Sequence, residues 1–368
     1  MRRDAFVHTA HPARVLFGRG QVDQLPAELD RMGLSRVVVI CTPGQEALAD
    51  AIATLCGHRA HSTYPHATMH VPSSVTTAAE QHLAKHRIDG AVAVGGGSSI
   101  GLGKALALTT ELPLLAIPTT YAGSEMTPIW GITSDGEKTT GRDVRVLPHT
   151  VLYDPDLTLT LPTSTSVSSG MNALAHAAEA LYAPDRSPIT DMMAGEAARA
   201  LTSALPAVAA NPADHSARTD LLYGAWLAGA CLGATTMSLH HKLCHVIGGT
   251  LDLPHAEVHA VVLPHVLAYN LAGPTHAADA LSQALDASNP VEYIYSLNTR
   301  LGSATSLQEL GMAREDIESV VSRTTANPYS NPRPVTAEAI RAIVSDAFDG
   351  SSPRAHSTES AAAITVVA

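Results

Sequence analysis

Hydrophobic positions along the chain follow two periods, and the change from one to the other divides it. Val37, Val38, Val39 and Ile40 form a short β-branched run within residues 36–41, which predicts a strand buried on both faces. Residues 91–94 and 114–117, the second run stopped by Pro118, predict two more. Between these runs the spacing becomes helical. Val22, Leu25, Leu29 and Met32 predict one helix, with Pro26 in its first turn, and Leu48, Ile52 and Leu55 predict another. Strand and helix in alternation predict an open, parallel, Rossmann-like α/β sheet.

The pattern changes near residue 160. Residues 161–170 read as a polar, small-residue connection, and beyond them the chain turns alanine-rich and helical. Helices are predicted over 171–181, 189–205, 217–234, 238–248 and 262–271, separated at Pro206, Pro212 and Gly248-Gly249. The expected architecture is an α/β domain over 1–160 and an all-helical domain over 161–368, with a cleft between them and a weakly ordered tail over 350–368.

Composition narrows the class. With 45% hydrophobic and 15% charged residues, the 368-residue chain has material for a large core and cannot be disordered throughout. A net charge of −11 disfavours a nucleic-acid groove. No apolar run reaches the roughly 20 residues of a membrane span. The basic pair Arg2-Arg3 has no apolar segment behind it, so no signal peptide is expected and the predicted location is cytoplasmic. Cys41, Cys56, Cys231 and Cys244 are scattered and read as reduced buried thiols.

Two loops point to a phosphate-bearing ligand. Gly95, Gly96, Gly97, Ser98 and Ser99 follow a predicted strand and open a predicted helix. Glycines let the backbone approach a pyrophosphate, and the first helical amides face the anion. Lys104, one turn on, can add a point charge. The segment 117–127 leaves the third strand with Thr119, Thr120 and Ser124 around a glycine, suited to ribose or amide contacts. Thr42 ends the first strand, with no acidic residue behind it, so neither NADH nor NADPH is repelled there.

Histidine is the unusual count, at 19. Asn172 and His176 share a helical face at i and i+4, as do His241 and His245, and a turn through Gly248-Gly249 can return His255 to them. Four imidazoles (His176, His241, His245, His255) on helices that pack together point to a functional cluster able to take a divalent metal.

These motifs together resemble the iron-containing (group III) alcohol dehydrogenase superfamily, and within it the maleylacetate reductases. The resemblance runs over nearly the whole chain: residues 67–72, 95–104, 119–125, 145–148, 153–155, 170–176, 239–245 and 327–334. It implies the fold shared with dehydroquinate synthases, a homodimer, and hydride transfer from NAD(P)H. Metal-dependent members hold iron or zinc with one Asp and three His, at positions matching Asn172, His176, His241 and His255. The neutral Asn172 removes the anionic ligand, so the resemblance implies no required metal, with at most a weak zinc or iron on His176, His241 and His255.

The implied reaction reduces the enone C=C of maleylacetate to 3-oxoadipate in aromatic-ring catabolism. His245 is the leading candidate for oxyanion stabiliser or proton donor, flanked by His241 and His255. A dicarboxylate needs cations; Lys138, Arg142, Arg145 and Lys242 are available, with Arg142 preferred and Asp143 beside it. Asn172 and Tyr121 complete the substrate-facing set. The alternatives are another enone or carbonyl in a biosynthetic pathway, and a non-redox protein reusing the fold. The second is motivated by residues 281–303, the stretch least like the family.

Overall fold

Val37 to Ile40 form β2 (Val37–Ile40), and each residue is at most 1% exposed because the run packs two ways. Val37 and Val39 join Leu25, Leu29 and Ile52 on one face, while Val38 and Ile40 join Ala79, Leu83 and Ile100 on the other. The computed structural model describes residues 6–11, 14–134, 137–273 and 275–356. The other strands are β1 (Arg14–Phe17), β3 (Ala60–Tyr64), β4 (Gly90–Gly95), β5 (Leu114–Pro118), β6 (Ile129–Ser134), β7 (Glu137–Arg142) and β8 (Thr150–Tyr153). Six of them form one parallel sheet in the order β1-β8-β5-β4-β2-β3. The other two, β6 and β7, make an antiparallel hairpin.

Around the sheet lie α1 (Leu25–Arg31), α2 (Glu46–Cys56), α3 (Ser73–His86) and α4 (Gly97–Thr110). The helical half holds α5 (Thr163–Ala180), α6 (Pro188–Ala210), α7 (His215–Ala234), α8 (Leu239–Leu251) and α9 (His255–Asn270). It ends with α10 (His276–Leu285), α11 (Pro290–Arg300), α12 (Asp316–Thr325) and α13 (Ala337–Asp349). One core runs from the sheet into α5, α6 and α7 through Met171, Leu174, Leu205 and Leu221. A second core joins α8, α9, α12 and α13. Among the described residues no helix is long and apolar enough to cross a membrane.

Strand order reverses next to β2. The chain leaves β2 for β3 on one side, then crosses to place β4 on the other. The carboxyl ends of β2 and β4 therefore open on the crevice where α/β sheets bind ligands. There Gly95 ends β4 at φ 132°, a conformation side chains rarely adopt, and Gly96 caps α4. The amide of Thr119 donates to the Gly95 carbonyl at 3.0 Å, setting the second loop beside the glycine turn.

Several predicted boundaries move. Most of 161–170, read as a connection, is the first two turns of α5; Ser166 Oγ donates to the Pro162 carbonyl at 3.0 Å, so its hydroxyl is satisfied inside the helix. Pro206 lies within α6 and Gly248-Gly249 within α8, each carried by a buried apolar face. The tail is held over 350–356: Arg354 and His356 pair with Asp346, and Tyr295 Oη donates to the Gly350 carbonyl at 3.2 Å. Residues 357–368, and the basic pair at 2–3, lie outside the described residues.

The two halves meet backbone to backbone. A Cβ on Gly229 of α7 would lie 2.7 Å from the Gly123 carbonyl oxygen, and one on Gly233 2.5 Å from that of Met126. Gly195 of α6 has nothing within 4 Å of its Cβ position. Gly229→Ala is expected to cost about 1–3 kcal/mol, whereas Gly195→Ala gains up to about 1 kcal/mol from helix propensity. Urea unfolding midpoints check both; equal shifts would contradict the close seam.

Candidate active site

The glycine turn gives the candidate site an end suited to an anion. Gly97 is exposed, and a Cβ there would meet nothing within 4 Å, so the first amides of α4 look onto open space. Gly96 approaches Thr120, whose Cγ2 would be 3.0 Å from an added Cβ. Ser99 Oγ is fully buried without a partner. Thr42 Oγ1 donates to Gln45 Oε1 at 2.9 Å, fixing the loop after β2 on the other side of the crevice. These residues fit a dinucleotide's diphosphate: amides at a helix N-terminus, a hydroxyl in reserve and no side chain in the way.

Lys104 takes no part in that cradle. It is 2% exposed, and its ammonium donates to the Ser124 carbonyl, Thr127 Oγ1 (2.9 Å) and the Ile129 carbonyl (2.8 Å). Burial pushes its pKa down to about 7, opposed by Glu125. It is an internal anchor for the 119–129 loop, one turn below the anion site and facing away from it. Tyr121 is likewise withdrawn from the cleft: fully buried, its hydroxyl accepts from Arg218 Nη1 at 3.1 Å. Arg142 donates through Nη2 to the carbonyls of Leu232 (3.2 Å), Gly233 and Thr235, closing the end of α7. Asp143 pairs with Arg145 at 2.7 Å instead of orienting Arg142. Lys242 is half-buried on α8. Lys138, on β7, lies near enough to the histidines for its charge to act on His245 and His255.

The histidines converge. His176 of α5 lies 5.0 Å, ring to ring, from His241 of α8. His245 and His255 stack at 5.7 Å and face the open side. The Nδ1 atom of His176 would be 3.6 Å from a Cβ on Gly123, so the cluster touches the 119–124 loop. Desolvation, then neighbouring imidazoles, holds His176 well below the usual histidine range, and burial lowers His240 to about 4. Desolvation in the cleft, followed by His241, His255 and Lys138, pushes His245 down as well. His176, His240 and His245 are therefore held as neutral rings near pH 7.

Sequence reasoning missed three of its members. Glu179, one turn beyond His176, is 0% exposed and accepts from His241 Nδ1 at 2.5 Å, from the backbone amides of Ser238 (3.2 Å) and His240 (3.0 Å), and from Tyr182 Oη (3.2 Å). Burial works against its charge, but these donors hold its pKa at about 2. Its bond fixes the His241 ring with Nδ1 as the donor, and His241 Nε2 is buried without a partner. His240 and His259 are the others. His259 is 1% exposed and lies 4.5 Å from His255 and 4.9 Å from both His240 and His241. The available signal was spacing: Asn172, His176 and Glu179 run i, i+4, i+7, and His255 and His259 run i, i+4.

The resemblance's metal-ligand set fits an ion poorly. Asn172 Oδ1, His176 Nδ1 and His241 Nε2 are buried without partners, but Asn172 brings no negative charge and His255 is exposed. Among the described residues, the groups whose ligand atoms come within 4.8 Å of one another are Glu179–His240–His241 and His240–Cys244–His259; His176, His241 and His255 do not form such a group. No step is assigned to a metal.

Comparison with known proteins settles the lineage. Residues 12–155 match the iron-containing alcohol dehydrogenase family, and residues 166–348 match the C-terminal part of the Fe-containing alcohol dehydrogenase family. The chain is 52% identical over 350 residues to a maleylacetate reductase of Burkholderia cepacia, covering 95% of this chain and 99% of that one. The chain belongs to the iron-containing alcohol dehydrogenase family. Among solved members, the maleylacetate reductase of a Rhizobium strain superposes with a TM-score of 0.92 at 49% identity, covering 95% of this chain and all of that one. The one from Agrobacterium tumefaciens gives 0.92 at 48%, with the same coverage. As in the family, the chain is an oxidoreductase with a parallel-sheet domain followed by a helical one.

Two outcomes follow for this iron-containing alcohol dehydrogenase family member. His176, His240 and His259 are neutral when folded but titrate near 6.5 when unfolded, so the unfolded chain binds more protons as pH falls. Stability should be level above about pH 7 and decline below 6.5 by up to about 1.4 kcal/mol per pH unit for each histidine. Urea unfolding at neutral pH and near pH 5 measures this; no difference would mean the rings are hydrated. Glu179→Gln turns an amide N–H toward the amides of α8 and frees the His241 tautomer. It should lower kcat by about ten- to a hundredfold, with Glu179→Asp recovering part, as steady-state kinetics would read.

Proposed function

We propose that the chain reduces the C=C of maleylacetate to 3-oxoadipate with NADH or NADPH, in the cytoplasm and as a homodimer. The observation that carries this reading is the 52% identity to a maleylacetate reductase over 95% of the chain. The nicotinamide coenzyme, when bound, supplies the hydride.

The amides of Gly96, Gly97, Ser98 and Ser99 receive the diphosphate at the N-terminus of α4. Thr42 borders the crevice on the β2 side. Thr119, Thr120 and Ser124 line the path from the glycine turn toward His176, where the nicotinamide end is placed. As the alkene carbon distal to the ketone is reduced, negative charge collects on the ketone oxygen, and His245 donates an N–H to it. A neutral imidazole does this without bringing a charge of its own into the cleft. A proton then reaches the carbon next to the ketone, with His255 stacked on His245 as its neighbour in the transfer.

Of the cations available, Lys138 suits the substrate's carboxylates, since Arg142 and Arg145 are engaged elsewhere. We infer that no metal is required, because Asn172 is neutral and the ligand atoms of His176, His241 and His255 do not all come within 4.8 Å of one another. Loss of NADH or NADPH absorbance on adding maleylacetate, with 3-oxoadipate formed and full rate after chelation, is the expected result. Turnover only of another enone, or only with added metal, would overturn it. His245→Ala should lower kcat by two or more orders of magnitude with little change in coenzyme affinity; an unchanged kcat removes His245 from the chemistry.

A further inference from the structure

Three side chains behind the catalytic histidines remain without a use. His240 and Cys244 occupy successive turns of α8, and His259 faces them from α9. His240 and Cys244 are 0% exposed and His259 is 1% exposed. Their ligand atoms lie within 4.8 Å of one another. His240 Nδ1 and both ring nitrogens of His259 are buried with no partner. Unpartnered buried nitrogens are costly, and His259, with neither ring nitrogen satisfied beside the His240–Cys244 pair, marks a place for something the side chains themselves do not supply.

We propose that His240, Cys244 and His259 form a binding site for a zinc-class divalent ion, which staples α8 to α9. Thiolate and imidazole are the ligand types that such an ion prefers, and carboxylate-seeking calcium or magnesium is not accommodated. The distances agree. Cys244 Sγ and His240 Nε2 are 3.5 Å apart, about the separation two ligands keep across a tetrahedral ion at ~2.3 Å from sulfur and ~2.0–2.1 Å from nitrogen.

Charge agrees as well. Binding releases the thiol proton to solvent, so a divalent ion with one thiolate leaves a single positive charge. The buried carboxylate of Glu179, whose field reaches both His240 and Cys244, balances it. Entry of the ion costs His240 Nε2 its 3.0 Å bond to the His259 carbonyl, which the metal bonds replace. None of the three residues belongs to the set Asn172, His176, His241 and His255, so the site is separate from the one the family resemblance implies. The proposal does not depend on the reductase reading. Its effect is mechanical: α8 carries His241 and His245, α9 carries His255, and a staple between the helices fixes those three against each other.

Cobalt(II) titration of the full chain, reduced and freed of metal, tests this. One equivalent should bind with a thiolate-to-cobalt absorption band in the near ultraviolet, and zinc(II) should displace it. Cys244→Ser should abolish the band, and His259→Gln should weaken binding at least tenfold, while His255→Gln leaves both unchanged. Zinc(II) should also raise the melting temperature of the parent chain and not that of Cys244→Ser. A band absent from the parent chain, a band indifferent to Cys244→Ser, or cobalt binding lost in His255→Gln would each overturn the proposal. If Cys244→Ser fails to fold, His259→Gln and the parent chain's zinc-dependent melting decide it in the same way.

Discussion

Moving an ionised carboxylate from water into a protein interior costs several kcal/mol, and the fold accepts that cost at Glu179. What offsets it is the start of α8. The amides of Ser238 and His240 converge on the carboxylate, at the positive end of the helix, and His241 Nδ1 adds a third strong donor. Because Glu179 sits on α5, this one anion fixes where α8 begins and how it faces α5. It also fixes the orientation of the His241 ring. With Nδ1 committed to Glu179, His241 Nε2 is buried without a partner, as are His176 Nδ1, on the neighbouring ring, and Asn172 Oδ1.

A dry group of imidazoles can stay together only if the rings are neutral, since adjacent imidazolium charges in a medium of low polarity repel strongly. That constraint suits the proposed chemistry. A neutral N–H aimed at a ketone oxygen is a weak acid, stabilises charge as it appears and needs no reorganisation. Asn172 fits the same logic from the other side. An aspartate there would hold a cation more tightly, but would also stand close to an incoming dianion and repel it. On the reductase reading, the amide therefore gives up metal affinity for tolerance of a doubly charged substrate.

Strands β2, β4 and β5 were legible because they are covered on both faces and form unbroken apolar runs, whereas β8, equally buried but short and opened by Thr150, was missed. Nor were the sheet's edges legible. The outermost strand, β3, reads Ala-His-Ser-Thr-Tyr, since an edge strand half open to water has no reason to be apolar. The β6–β7 hairpin carries no buried face of its own and left no alternation to find. The start of α5 was hidden by serine and threonine, whose usual preference for turns is overridden when their hydroxyls bond back to the preceding turn's carbonyls. At the site, residue type located the histidines, but long polar side chains misled. Lys104, Arg142 and Tyr121 look like ligand-binding groups in sequence and are structural in space, each spent on the protein's own carbonyls or side chains. A sequence states what a side chain can bind, not whether the backbone has already claimed it.

Two of those residues hold the 119–129 loop where it meets the helical half, and the third closes the end of the helix it meets. Lys104 fixes the 124–129 segment from beneath, Arg218 holds Tyr121 from the helical side, and Arg142 closes the end of α7. Gly123, at φ 77°, then meets Gly229 with no side chain between them. A segment clamped by buried ammonium and guanidinium groups and by backbone contact has few alternative positions, because every departure strands a buried charge without its acceptors. The polar groups of Thr119, Thr120 and Ser124 are thus set before any ligand arrives, and the distance from the glycine turn to the histidines is fixed by the backbone itself. Changes in that seam should therefore act on both halves at once, which is why glycine, and not a larger residue, stands on each side of it.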